Sequence, residues 1–193
     1  VSALMEGIGS GAVTAPFYDA LNADCIIVIG TRPTENHPVA ATYFKQASKN
    51  GATLILMDPR GSGLARHTNH HLKFTGGTDV ALLNAMLHVI VTEDLIDRAF
   101  IYKHTEGFEA LAERIKNYPP EEMSSVCGID ANTIRTVART YATSGRSMIF
   151  WGMGVSQHSH GTDNARCLIA LALATGHIGR PGTGLHPLRG QNN

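Results

Sequence analysis

The chain is 193 residues long, with 43% apolar and 17% charged side chains, which is enough apolar material for a packed core and argues against a disordered segment. Sixteen Lys and Arg balance sixteen Asp and Glu, so no net field draws the chain to nucleic acid or to an anionic membrane, and any phosphate binding must come from local geometry. Its apolar runs reach only about half a membrane span, and no signal-like start is visible.

Residues 3–20 carry Gly7, Gly9 and Gly11 and read as a loop leading into a short helix. The apolar run Cys25–Ile29 reads as a buried strand. Pro38 then suits the first position of a helix, with Ala40, Tyr43, Phe44 and Ala47 as its apolar stripe and Gly51 as its terminator. A second apolar run, "ATLILMD" (52–58), completes a strand–helix–strand crossover, which requires a parallel sheet. "HHLKF" (70–74) reads as a short third strand, followed by a helix to about Val91. That helix has Asp79 as its cap and Val80, Leu83, Leu87 and Ile90 on one face. Residues 94–127 read as short helices in a side layer, and 130–142 as an amphipathic helix through Ile134, Val137, Ala138 and Tyr141. "SMIFW" (147–151) is a further strand, and 163–175 a helix stopped by Gly176.

Each strand runs into a loop of a recurring kind: "GTRPTE" after the first, "DPRG" after the second, "GGTD" after the third and "GMGVSQ" after the fourth. In a parallel sheet these loops emerge at one edge, where open α/β folds take their ligands. Small residues let backbone approach a ligand, Thr and Asp bond ribose hydroxyls, and Arg forks onto phosphate. The set reads as a site for a phosphorylated nucleoside. Singly, each piece has a plainer reading: Arg60 as a solvated turn, Gly76-Gly77 as a strand end, Met153 as packing and Gln157 as a water-bonded loop residue.

No G-x-G-x-x-G follows either leading strand, which argues against an ordinary dinucleotide binder. Neither His70-His71 nor His158-x-His160 has a suitably spaced carboxylate or thiolate for a metal site. Cys25, Cys127 and Cys167 are far apart and form no C-x-x-C, so this chain alone supplies neither a zinc ribbon nor an iron–sulfur cluster; they read as buried thiols of a reducing compartment.

The stretches "IIVIGTRPTENHPVAATYFKQ", "LILMDPR", "FTGGTDVALLNAMLHVI", "MIFWGMGVSQHSHGTDNARCLIALAL" and "GRPGTGLHPLRGQNN" together resemble the molybdopterin oxidoreductase superfamily. More narrowly, they resemble the catalytic α subunit of a cytoplasmic, NAD-linked molybdenum formate dehydrogenase. The resemblance covers essentially the whole chain. It implies one α/β domain over residues 1–193, a parallel sheet flanked by helices, Rossmann-like and of the formate dehydrogenase/DMSO reductase type. Its loops would hold the GDP part of one molybdopterin guanine dinucleotide of a bis-MGD cofactor carrying Mo or W.

By position, the resemblance implies cofactor contacts from Gly30, Thr31, Arg32 and Glu35, from Asp58 and Arg60, from Thr78 and Asp79, and from Met153 and Gln157. Arg189 matches an arginine near the metal that orients formate. Arg32 departs from the pattern, where Asn is common; Asn both donates and accepts, whereas Arg only donates. No residue of this chain matches the family's Cys or Sec metal ligand, so the chain reads as part of a larger subunit. That parent would carry iron–sulfur clusters elsewhere and work with subunits bearing flavin and further clusters, with no nucleic acid and no membrane segment. Two alternatives stay open: another oxyanion enzyme such as a nitrate reductase, or a binding lobe without catalysis.

Overall fold

The computed structural model describes residues 1–189. The last four residues of the "GRPGTGLHPLRGQNN" stretch lie outside them. Five strands among the described residues form one parallel sheet: β1 (Cys25–Ile29), β2 (Thr53–Met57), β3 (His70–Leu72), β4 (Ser147–Trp151) and β5 (Gly184–Pro187). Their order across the sheet is β3-β2-β1-β4-β5. The chain steps outward from β1 to β3 and then returns to pair β4 on the other side of β1. The direction of winding therefore reverses between β1 and β4, and their carboxyl ends flank the crevice that such a reversal opens.

Strands β1, β2 and β4 read as continuous apolar runs because both faces of the sheet are covered there. Side chains alternate between the faces. Cys25, Ile27 and Ile29 join one core with Ile55, Met57, Ile149 and Trp151, whereas Ile26 and Val28 join the other with Leu54, Leu56, Met148 and Phe150. The second core is closed by helix α3 (Pro38–Lys49), which follows the short α2 (Pro33–Asn36). Here Phe44 sets its ring 4.5 Å from that of Phe150. The first core is closed by α4 (Asp79–Thr92), α8 (Ala131–Thr143) and α10 (Gly161–Thr175). Between α4 and α8 lie α5 (Arg98–His104), α6 (Phe108–Ile115) and α7 (Pro120–Cys127), the side layer the sequence indicates. No helix among the described residues is long and apolar enough to cross a membrane.

Several local expectations change. The glycine-rich start is not a loop leading into a helix; it opens with helix α1 (Ser2–Ile8), and the loop and a 3₁₀ turn (Phe17–Asn22) come after it. Gly7 belongs to the stretch that reads as a loop, yet a Cβ there would lie 3.0 Å from Ile169, so the glycine lets α1 pack closely on α10. The third strand is shorter than 70–74. Asp79 does not cap α4: Thr78 takes the cap position without a side-chain bond, and Asp79 is the first helical residue. α4 buries more than one stripe because α6, α7, α8 and α10 all pack against it. Strand β5 has no apolar run to announce it. It extends because residues 184–187 pair with Met148–Trp151 along β4.

β5 carries His186, which is fully buried, stacked 4.6 Å from Phe150 at 25°, and has no partner among the described residues at either ring nitrogen. His177, past the end of α10, is also buried; its Nε2 lies 3.0 Å from the Tyr141 carbonyl and its Nδ1 3.3 Å from an Arg180 amino group. The carbonyl only accepts and the guanidinium only donates, so the neutral ring is protonated at Nε2. Burial pushes both imidazoles down to about 4, helped at His177 by the Arg180 charge. Between about 4 and the ordinary value near 6.5 the unfolded chain binds more protons than the folded one, so stability is complete above 6.5 and falls as pH drops through this window. The full loss is on the order of 3 kcal/mol for each ring. Urea midpoints measured from pH 7.5 to 4.5 should fall with acidification, and His186→Phe, which keeps the aromatic stack, should flatten part of that slope.

Candidate functional site

The junction of the β1 and β4 loops is built on glycine. Gly30 has φ +59°, and a Cβ on it would stand 2.7 Å from the Val155 nitrogen. A Cβ on Gly152 would stand 2.6 Å from the Thr31 Cβ, and one on Gly154 2.6 Å from the Gly30 oxygen. Through these three openings the backbones bond directly: the Gly152 N–H donates to the Ile29 carbonyl (3.1 Å) and the Gly154 N–H to the Gly30 carbonyl (2.9 Å). The glycines thus bring loop against loop. The Gly30 N–H is also taken, by the Met57 carbonyl, so at these three positions the amides close the scaffold.

Beside this junction lies a cavity of ≈ 360 Å³ at the carboxyl ends of the strands. Gly30, Thr31 and Arg32 line it from the first loop, Asp58 and Arg60 from the second, and Gly152, Met153 and Gly154 from the fourth. Asn36, His37 and Leu188 complete the lining. Thr31 and Asp58 are buried. The Asp58 Oδ1 accepts the Arg60 N–H at 2.8 Å, a side-chain turn that fixes where Arg60 leaves the backbone. The Arg60 side chain is exposed, and among the described residues no carboxylate pairs with it. Arg32 pairs with Glu35 at 2.8 Å, while its Nε is buried without a partner. The His37 Nδ1 is likewise buried and unpartnered, and burial lowers the pKa of that imidazole.

Of the residues singled out in the sequence, Gly30, Thr31, Arg32, Asp58, Arg60 and Met153 converge on this cavity. Glu35 lies outside it, tied to Arg32. Thr78 and Asp79 stand apart on the β3–α4 loop. The Thr78 hydroxyl donates to the Thr75 carbonyl at 2.6 Å. Asp79 is 2% exposed with Oδ1 unpartnered, and burial pushes its carboxyl pKa up, offset in part by its own backbone N–H and by His158. Gln157 is exposed at the end of the short helix α9 (Met153–Ser156), its N–H bonded to the Met153 carbonyl. Arg189 is half-buried beyond β5. Asn36 and His37 are lining residues the sequence reading passes over. The signal for them is the Asn-His-Pro that ends α2 and starts α3 beside the first loop.

Residues 5–192 match the molybdopterin oxidoreductase family, and the chain belongs to that family. Over all 193 residues it is 45% identical to the F420-dependent formate dehydrogenase subunit alpha of Methanocaldococcus jannaschii and 40% identical to formate dehydrogenase H of Escherichia coli. It spans 29% and 27% of those two proteins, well under a third of each. Among solved structures, acetylene hydratase from Pelobacter acetylenicus superposes with a TM-score of 0.86 at 30% identity. That likeness takes in 94% of this chain and 24% of the hydratase chain.

Family membership implies a molybdopterin cofactor in the parent enzyme, and the cavity can be tested against its parts. Two guanidinium groups, a buried threonine hydroxyl and an unpartnered imidazole nitrogen suit a phosphorylated nucleotide. The metal end finds no such match: among the described residues no three His, Cys, Asp or Glu side chains cluster to hold an ion. Burial pushes the Cys25 and Cys167 thiols up to about 12 and raises Cys127 as well, which keeps all three protonated. The described residues fit the nucleotide end of the group.

The glycine junction has a direct mechanical test. Gly30→Ala adds a left-handed backbone penalty to a 2.7 Å collision with backbone, and should lower the unfolding free energy by about 2–4 kcal/mol in urea titration. Gly61→Ala, with nothing within 4 Å of the added Cβ, should leave the midpoint nearly unchanged.

Proposed function

We propose that the chain is the nucleotide-holding α/β domain of a formate dehydrogenase alpha subunit, and that its cavity binds the GDP part of one molybdopterin guanine dinucleotide of a bis-MGD cofactor with Mo or W. The observation that carries this reading is the convergence of Arg60, Arg32 and Thr31 on one cavity where the sheet reverses its winding. Arg60, anchored by Asp58 and without a carboxylate pair among the described residues, is the principal phosphate ligand. Arg32 supplies a second guanidinium, and the Thr31 hydroxyl and Met153 line the cavity between them. Thr78, Asp79 and Gln157 stand on neighbouring loops at the same sheet edge, where a ligand longer than the cavity would reach.

The metal–pterin group, when bound in the parent, supplies the two-electron acceptor for oxidation of formate to carbon dioxide. This chain's own part is to hold and orient. Arg189 offers a planar fork that matches a one-carbon carboxylate, so its role is to fix the substrate while the nucleotide loops fix the cofactor. The formate assignment rests on that arginine and on the two formate dehydrogenases the chain resembles. We further propose a cytoplasmic parent with iron–sulfur clusters of its own and partner subunits carrying flavin and further clusters. A different reaction on the same lobe is the second reading, favoured by the fold's likeness to acetylene hydratase. A family fold fixes the cofactor class more closely than the substrate.

Calorimetric titration of the chain with GDP tests the central assignment. Saturable binding is expected, weakened by about fivefold to tenfold in Arg60→Ala, the range for one partly exposed charge-assisted contact. Binding that is absent, or indifferent to Arg60, would contradict the assignment.

A further inference from the structure

Arg32 and Glu35 meet at the mouth of the cavity in a way that separates their roles. The Arg32 amino nitrogen Nη2 lies 2.8 Å from Glu35 Oε1, and the two side chains are 40% and 47% exposed. Arg32 lines the cavity and Glu35 does not. The backbone beneath them is held firmly, because the Arg32 carbonyl accepts the N–H groups of both Glu35 and Asn36 at 3.0 Å. Only the side chains are free to change partners. The Arg32 Nε has no partner among the described residues, so the guanidinium has a donor to spare while one amino group is engaged.

An ion pair this exposed is weakly stabilising, since water competes for both charges. A diphosphate carries more negative charge than one carboxylate and accepts a planar guanidinium at two oxygens. A diphosphate entering the cavity therefore meets an arginine that is correctly placed yet already neutralised. Asp58, the carboxylate that does line the cavity, is different in kind, because its Oδ1 is spent on the Arg60 N–H and anchors an arginine rather than masking one.

We infer that Glu35 is an intramolecular competitor for Arg32, not a contact to the nucleotide, and that a diphosphate binds by drawing the guanidinium away from it. The inference rests on the proposed nucleotide reading and goes further, in assigning Glu35 a role opposite to that of its neighbours. It also accounts for an arginine at this position. The pairing leaves the site near neutral when empty and positive when the carboxylate is displaced.

The test is a double-mutant cycle in calorimetry, with GDP, inorganic pyrophosphate and guanosine titrated into the parent chain, Glu35→Gln, Arg32→Ala and the double variant. Glu35→Gln should bind GDP and pyrophosphate about fivefold more tightly, leave guanosine unchanged, and lose its advantage in the Arg32→Ala background. Weaker GDP binding by Glu35→Gln would make Glu35 a ligand contact and overturn the inference, as would an equal gain in the absence of Arg32. If the parent chain binds GDP and Glu35→Gln shows no gain, the competition alone is wrong. If no variant binds GDP or pyrophosphate, the nucleotide reading falls and the competition falls with it. Circular dichroism and urea midpoints for the variants establish that each one titrated is folded.

Discussion

The site depends on one steric constraint, the absence of any side chain where the β1 and β4 loops meet. Three glycines leave room for two direct backbone hydrogen bonds across the junction. Those bonds set the distance between two loops that the sheet topology leaves splayed on either side of its reversal. A methyl group at any of the three positions would press on backbone or on Thr31, where nothing flexible can give way. The Gly30, Gly152 and Gly154 amides are spent on closing the junction, and Arg32, Arg60 and Thr31 line the cavity beside it.

The electrostatics follow the same division. A chain with no net charge places two guanidiniums on one small cavity and treats the nearby carboxylates in two ways: Asp58 is buried and used as an anchor, and Glu35 stays outside, holding Arg32. Cys25 and Cys127 are buried and Cys167 is half-buried, and burial keeps all three thiols protonated. The lining of the strand-end cavity does not by itself select a reaction. That agrees with the chain's likeness both to formate dehydrogenases and to acetylene hydratase, and with its span of under a third of the formate dehydrogenases named above.

Much of this was legible in the sequence because the core strands are covered on both faces and so read as unbroken apolar runs. The β1–α3–β2 crossover, the helices at 131–143 and 161–175, and the loops that end three of the strands follow from those runs and from Pro38, Asp130 and Gly176. β5 was not legible, because a Gly-Leu-His-Pro segment is made a strand by its neighbour β4 and not by its own composition. Gly7 misled for a related reason, since close helix packing and a loop ask for the same residue. At the site, the residue types pointed to the sheet edge where the cavity lies. The separation of Thr78 and Asp79 from the cavity, the Arg32–Glu35 pairing and the lining role of His37 depend on how loops approach one another in space, which spacing along the chain does not encode.

Backbone amide mapping by NMR during a GDP titration tests the central claim most directly, since it reports where a ligand sits as well as whether it binds. The account requires saturable shifts concentrated at residues 30–37, 58–60 and 152–154, with a second groove, lined by Val80 and Asn84 of α4, Leu111 of α6 and Cys167 of α10, unaffected. Shifts confined to that groove, or an unchanged spectrum at saturating nucleotide, would show that the cavity at the sheet reversal is not the nucleotide site.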